Sequence, residues 1–218
     1  MHGRVVGSRA VTLKGRFITL EGIEGAGKSS VAQALAARLR ARGVAVRLTR
    51  EPGGTPLAEK LRAQVLAQGD EPMTPVAEIL LMFAARSQHV EQLIRPTLAA
   101  GEWVLCDRFT DASRAYQGAG RGIDGAFIEA LATAVHAGLA PDRTLLLDVP
   151  VTLGLRRARS RGAAADRFEA QEERFFERVR AGYLALAAQS PQRFRVLDAT
   201  QPLEQVVAAA TDAVMELI

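Results

Sequence analysis

The chain has 218 residues, 28 Lys and Arg against 24 Asp and Glu, and a formal net charge of +4; that length suits one α/β domain and is short for two. With 48% hydrophobic and 24% charged residues it is neither disordered nor fibrous, and no run approaches the roughly 18 apolar residues of a membrane span. The single cysteine, Cys106, excludes an internal disulfide and fits a reducing, cytoplasmic compartment.

In chain order, residues 1–15 read as a flexible basic extension without the apolar core of a secretion signal, and 16–218 as one domain. RFITL is the first predicted strand. It runs into EGIEGAGKSS and a predicted helix, Ser30–Arg42, that Gly43 stops. VAVRLT is the second strand, followed by Arg50, Glu51, a Pro–Gly turn and a short helix carrying Arg62. A long helix, Val76–Leu98, carries Met82, Phe83, Arg86 and His89, and Pro96 should end or bend it. WVLC is the third strand, closed by Asp107 and Arg108. The segment TDASRAYQGAGRG then sets Ser113, Arg114, Tyr116 and Gln117 among three glycines, which suits the polar floor of a ligand pocket. A helix over Gly125–Gly138, the strand TLLLDV and helices over Val151–Arg161 and Glu169–Gln189 follow, then the strand RFRVL and a helix over Pro202–Leu217. His89 and His136 read as ordinary helix residues rather than metal ligands, and Cys106 as an inert buried thiol.

Five short strands alternating with helices predict a parallel sheet covered on both faces. Ligands of such sheets sit beyond the carboxyl ends of the strands, and the unusual residues all fall at those ends. Gly22–Ser29 matches G-x-x-x-x-G-K-[ST], a match expected about 0.002 times from a chain of this composition. The glycines let backbone N–H groups turn inward around a polyphosphate, Lys28 can reach its β and γ phosphates, and Ser29 can offer its hydroxyl to Mg²⁺. Asp107 is placed to hold the same cation and Arg108 to grip a phosphate oxygen. The basic excess is almost all arginine, 25 Arg against 3 Lys. Acidic residues are interspersed and aromatics are 5%, so arginine clamps on small phosphates fit better than a nucleic-acid surface. Arg157, Arg159 and Arg161 precede a Gly/Ala-rich stretch, which predicts a lid over about 157–168 that closes on a triphosphate.

The ordered set EGIEGAGKSS, TREPGGTPLAEKLR, FAARSQHV, CDRF, AYQGAGRGID, PDRTLLLDVP, RARSRGAAADRFE and DATQPLE resembles bacterial thymidylate kinases over nearly the whole chain from Arg16. The resemblance implies a three-layer α/β/α P-loop NTPase fold with a five-stranded parallel sheet and a short lid. It implies phosphorylation of dTMP to dTDP with ATP and Mg²⁺, and a homodimer. By the same likeness Glu24, Gly25, Ala26, Gly27, Lys28, Ser29, Ser30 and Arg157 bind ATP, with Ser29 and Asp107 on the metal. Glu24 approaches the acceptor sugar, while Arg50, Arg86 and Arg108 surround the acceptor phosphate. Arg62 and Ser113 read the thymine edge, with Arg114 and Gln117 close by, and Tyr116 packs under the deoxyribose. Arg159 and Arg161 belong to a lid that carries the catalytic arginine, and 198–201 touches adenine. Where relatives stack a phenylalanine on the base, this chain has Met82 with Phe83 beside it. Two rivals stand. A deoxynucleoside kinase would need a base, for which Glu51 is the candidate. A nucleotide-driven switch ATPase would leave the Tyr116 and Gln117 pocket without a purpose.

Overall fold

The computed structural model describes residues 15–67, 70–160 and 173–217. All five predicted strands are present: β1 (Phe17–Glu21), β2 (Val46–Arg50), β3 (Trp103–Asp107), β4 (Arg143–Asp148) and β5 (Phe194–Asp198). They form one sheet in the order β2-β3-β1-β4-β5, and every pairing is parallel. The register sets Leu20 beside Asp107, and Asp107 beside Arg50. Three strand ends therefore deliver their following loops at one level of one sheet edge. β1 is buried at every position, as befits the centre of a sheet with both faces covered.

Alternation divides the strands between the two layers. Ile18, Leu20, Trp103 and Leu105 pack with α1 (Lys28–Arg40) and with Val206 and Val207, which belong to the C-terminal helix. Phe17, Val104 and Cys106 face the other way, onto Val90, Ile94 and Phe109. The remaining helices are α2 (Pro56–Leu66), α3 (Pro75–His89), α4 (Arg95–Ala99), α5 (Thr110–Ser113), α6 (Gly125–His136), α7 (Val151–Arg159), α8 (Glu173–Gln189) and α9 (Leu203–Met215). α2 and α3 both open on Thr-Pro: the Thr55 and Thr74 hydroxyls accept from the Ala58 and Ala77 N–H groups, and the proline fills the first helical position. Among the described residues no helix is long and apolar enough to cross a membrane.

Two segments contain π-helical stretches. The helix predicted over Val76–Leu98 is α3 continuing through a π-helical stretch, Val90–Ile94, into α4. Pro96 sits in the first turn of α4, directly after the π-helical stretch, and the first turn is where a helix tolerates proline's missing N–H. The stretch expected to suit the polar floor of a ligand pocket is α5 running into a second π-helical segment, Arg114–Gly120. Small residues allow it to lie tightly on α8: a Cβ on Gly120 would come 2.7 Å from the Phe175 ring, and one on Gly182 would come 2.7 Å from Ala119.

The glycine loop after β1 is braced from an element the sequence reading did not connect with it. Gly25 has φ 73°, and a Cβ there would stand 1.9 Å from the Gly154 carbonyl oxygen in α7; a Cβ on Gly154 would stand 2.7 Å from the Glu24 carbonyl oxygen. Two backbones touch because neither residue carries a side chain. Gly154→Ala should force them apart, an overpacking cost of about 1–3 kcal/mol. Differential scanning fluorimetry should show a melting temperature several degrees lower and a smaller upward shift on adding ATP.

Candidate active site

Between β1 and α1 the chain turns through Gly22, Gly25 and Gly27, at φ 135°, 73° and 91°. α1 starts directly after Gly27, with no side-chain cap and no acidic residue in its first turn. Its leading N–H groups and the positive end of its dipole are left for an anion. Lys28 is buried, and its ammonium donates to the Gly22 and Ile23 carbonyls at 3.0 Å each. The ammonium is thus folded over the loop it would otherwise extend from. Burial, joined by the nearby Arg108 charge, pulls its pKa down to about 8, while Asp107, Glu24 and Glu21 pull the other way.

The loop forms one wall of a cavity of roughly 260 Å³. Glu24, Gly25, Gly27, Lys28, Ser29 and Ser30 line that wall; Arg50, Glu51, Arg62, Asp107 and Arg108 line the rest. Cations from β2, α2 and the end of β3 therefore meet at the glycine turn. A second, smaller pocket shares Glu24, Glu51, Arg62 and Arg108 with the first and continues to Pro52, Leu66, Met82, Ala112, Tyr116 and Gln117. The pair makes one cleft, strongly polar at the phosphate loop and mixed at the far end.

Arg108 joins the two. Among the described residues it is the one non-glycine at positive φ, 72°, a conformation held only where surroundings over-determine it. They do. Its NH2 donates to Glu24 Oε1 at 2.8 Å, its guanidinium lies 4.6 Å from the centre of the Tyr116 ring, and NH1 reaches Tyr183 Oη at 3.5 Å. The Tyr116 hydroxyl donates to the other Glu24 oxygen at 2.6 Å. One layer down, Glu21 is fully buried and accepts from the Phe109 N–H at 2.8 Å and from the Tyr183 hydroxyl at 2.7 Å. Burial, with Asp111 adding to it, pushes the Glu21 pKa up to about 8.

Several side chains expected at the ligand do not line the cleft. Arg86, assigned to the acceptor phosphate, is 3% exposed and lines neither pocket. It donates to Glu51 at 2.7 Å, to the Ser113 hydroxyl at 3.1 Å and to the Phe109 carbonyl at 3.1 Å. A guanidinium on the buried side of a helix needs that many acceptors. Ser113, assigned to the thymine edge, is spent on Arg86 and is itself buried. Arg114 turns away to Glu129 and Asp111 and lines a separate cavity with them. Of the Met82 and Phe83 pair, Met82 lines the pocket, while Phe83 packs on Ile79, Ile128 and Ala132 against α6. Ala26 is buried in the core rather than in the cavity wall.

The histidines are buried connectors: His89 bridges Glu51 and Thr49 at 2.9 and 2.7 Å, and His136 joins the Thr110 hydroxyl to the Leu139 carbonyl. Cys106 is buried, which pushes its thiol pKa well up and keeps it inert. Arg157 donates to the Ala199 carbonyl at 2.7 Å, beside the 198–201 loop, and Arg159 is exposed in the last turn of α7. Arg161 and the rest of the expected lid, 161–168, lie outside the described residues, as do 1–14 of the expected extension.

Three buried anchors escaped the sequence reading: Glu21, Glu78 and Tyr183. Each had a signal. Glu21 is a carboxylate closing an otherwise apolar strand, and Tyr183 is one of only two tyrosines. Glu78 precedes Met82 and Arg86 at steps of four, so the three share a helix face.

At the cavity edge the Ser29 hydroxyl donates to Asp107 Oδ2 at 3.0 Å. Among the described residues no group of three or more His, Cys, Asp or Glu could hold an ion by itself. One hydroxyl and one carboxylate are hard oxygen donors that suit a divalent cation arriving with phosphates, which complete its shell.

The lowered Lys28 pKa has a consequence in solution. A bound polyphosphate favours the ammonium, so the bound form has the higher pKa and binding takes up a proton above pH 8. Triphosphate affinity measured by calorimetry should be flat below about pH 8 and weaken by up to about tenfold per unit above it. Lys28→Met should remove that slope along with most of the affinity.

A sequence model of the thymidylate kinase family matches residues 20–210. Thymidylate kinase of Alkalilimnicola ehrlichii is 54% identical over 205 residues, covering 94% of each chain. Thymidylate kinase of Alcanivorax borkumensis is 59% identical over 194 residues, 89% of this chain and 93% of its own. The solved thymidylate kinase from Ehrlichia chaffeensis superimposes with a TM-score of 0.76 at 32% identity, covering 92% of this chain and 98% of that one. With the glycine loop, the convergent arginines and the adjoining mixed pocket in place, the chain belongs to the thymidylate kinase family.

Proposed function

We propose that the cleft holds ATP with Mg²⁺ at its polar end and dTMP at its mixed end, and moves the γ-phosphoryl group from one to the other. The chain is a phosphotransferase that makes dTDP from dTMP. One observation carries the assignment of the acceptor base. Gln117 is fully buried and lines the small pocket; its Nε2 donates to Glu78 at 2.7 Å, while its Oε1 is buried with no hydrogen-bond partner. An unmatched buried carbonyl costs about 1–3 kcal/mol, recovered when a ligand supplies a donor. Thymine has one on its ring, N3–H, and Met82 and Leu66 offer apolar surface nearby.

In the reaction an acceptor phosphate oxygen attacks the γ-phosphorus in line, and the bond to the β-phosphate oxygen breaks. The acceptor phosphate is already largely dianionic, its second pKa being about 6, so no base need take a proton. Glu51 supports that reading against the nucleoside kinase: burial raises its pKa, yet Arg86 and His89 outweigh burial and hold it below the usual range. A carboxylate bonded on both oxygens makes a poor base. Arg50 and Arg62 supply positive charge at the acceptor side. Arg108 does so between the two nucleotides, held in place by Glu24, which sits with Tyr116 beside the sugar. Lys28, Gly25, Gly27 and Ser30 grip the donor phosphates. When bound through Ser29 and Asp107, Mg²⁺ supplies charge neutralisation at the donor phosphates. Arg157, anchored at Ala199, faces the adenine side, and Arg159 with Arg161 bring charge to the transferring group from the lid.

A homodimer and a cytoplasmic setting belong to the same reading. Val76 and Leu80 on α3 and Phe127 on α6 are exposed apolar residues on helices that pack together through Ile79, Phe83 and Ile128, and the only cysteine is a buried thiol.

A panel of monophosphates with ATP and Mg²⁺, scored by diphosphate formation, should show dTMP far ahead of purine acceptors, and thymidine itself inert. Preference for thymidine would return the nucleoside kinase. Arg159→Ala or Arg161→Ala should lower kcat by roughly 10³ while moving the dTMP KM little; an unchanged kcat in both removes the lid from the mechanism.

A further inference from the structure

A residue outside the cleft decides what Gln117 can offer a ligand. Glu78, in the first turn of α3, is fully buried, and its Oε1 accepts from Gln117 Nε2 at 2.7 Å. Arg121 faces the same carboxylate, with Nε 3.5 Å from Oε1 and NH2 3.3 Å from Oε2. A carboxylate opposed by a guanidinium has only acceptors to present, so it takes the NH₂ end of an amide and refuses the carbonyl end. A glutamine amide is nearly symmetric in shape, and its orientation follows its hydrogen-bond partners. The carbonyl is thereby left as the free end, buried on a residue that lines the base pocket.

We propose that Glu78 is a specificity-determining positioning residue: it locks the Gln117 amide so that only an acceptor meets the ring nitrogen of the incoming base. The lock selects pyrimidines with a ring N–H, thymine and uracil, against cytosine, whose corresponding nitrogen is an acceptor and would oppose the carbonyl. Without it the same side chain can rotate and offer its NH₂ to cytosine. The geometry comes from the packing of α3 against the π-helical segment, which brings Glu78 and Gln117 together across 39 residues of chain. The inference rests on the reading that the base lies beside Gln117.

The test is a set of dissociation constants for dTMP and dCMP, measured by calorimetry, with kcat/KM for both alongside. The unaltered protein should prefer dTMP by about a hundredfold or more, as sites built around a buried polar group do. Glu78→Gln lets the amide rotate and should cut the dTMP to dCMP ratio at least about tenfold, mainly by improving dCMP, with kcat for dTMP little changed. Glu78→Asp keeps an acceptor-only partner and should retain the preference. A purely structural role for Glu78 would weaken both monophosphates alike and leave the ratio unmoved. If Glu78→Gln does not fold because Arg121 loses its carboxylate, the Glu78→Gln, Arg121→Met pair removes both charges and should give the same loss of ratio. Gln117→Ala separates the two claims. If it lowers dTMP affinity while Glu78→Gln keeps the original ratio, the lock is overturned and the base assignment stands. If Gln117→Ala leaves dTMP affinity unchanged, the base assignment itself is overturned.

Discussion

Guanidinium groups gathered beside a cavity repel one another and cannot be stored there bare. The site meets that constraint by giving each cation a resident partner. Arg108 leans on Glu24, Arg86 on Glu51, Arg50 on Glu59, and Lys28 on two loop carbonyls. Those partnerships let positive charge from several segments stand at one sheet edge before any phosphate arrives. They also rank the cations. Arg86 is bonded on every side and serves as an anchor for Glu51 and α5. Arg50 is more than half exposed and paired at the surface, so its ion pair is the easiest of these to exchange.

The carboxylates differ as much as the cations. Glu24 and Glu51 line the cleft; Glu21 and Glu78 lie beneath it and hold the parts that do. Glu21 fixes the backbone at Phe109 and the Tyr183 hydroxyl, and through them the position of Arg108. Glu78 fixes Gln117. The two ends of the cleft thus each rest on a buried acid, and the two acids reach it through the segment that follows β3. Its π-helical stretch lets consecutive residues work separately: Tyr116 reaches Glu24 and Gln117 reaches Glu78. A π turn shifts the side-chain register in a way that an α-helical turn does not.

Close packing carries the same logic into the backbone. The glycine loop touches α7 at Gly154, and α7 ends in the arginines expected to close over the donor. The strand carrying the loop is the central one, flanked by β3 and β4. Loop, α7 and Arg108 are therefore referred to a single rigid strand, which suits a reaction governed by alignment more than by proton transfer.

The sequence by itself determined the five strands, the helices between them, the glycine loop and the edge of the sheet at which the cleft opens. These depend on periodicity and on backbone angles within a few consecutive residues, and those are written locally. It also named Lys28, Arg50, Arg62, Arg108, Tyr116 and Gln117, all of which line the cleft. Tertiary structure alone decided which polar side chains face the cleft and which face each other. Arg86, Ser113 and Arg114 carry the same chemistry as residues at the cleft, yet Arg86 is turned toward Glu51, Ser113 toward Arg86 and Arg114 toward Glu129. A hydrogen-bonding group points wherever its partner stands, and partners such as Glu21 and Tyr183, 162 positions apart, meet only once the sheet and its helices have packed.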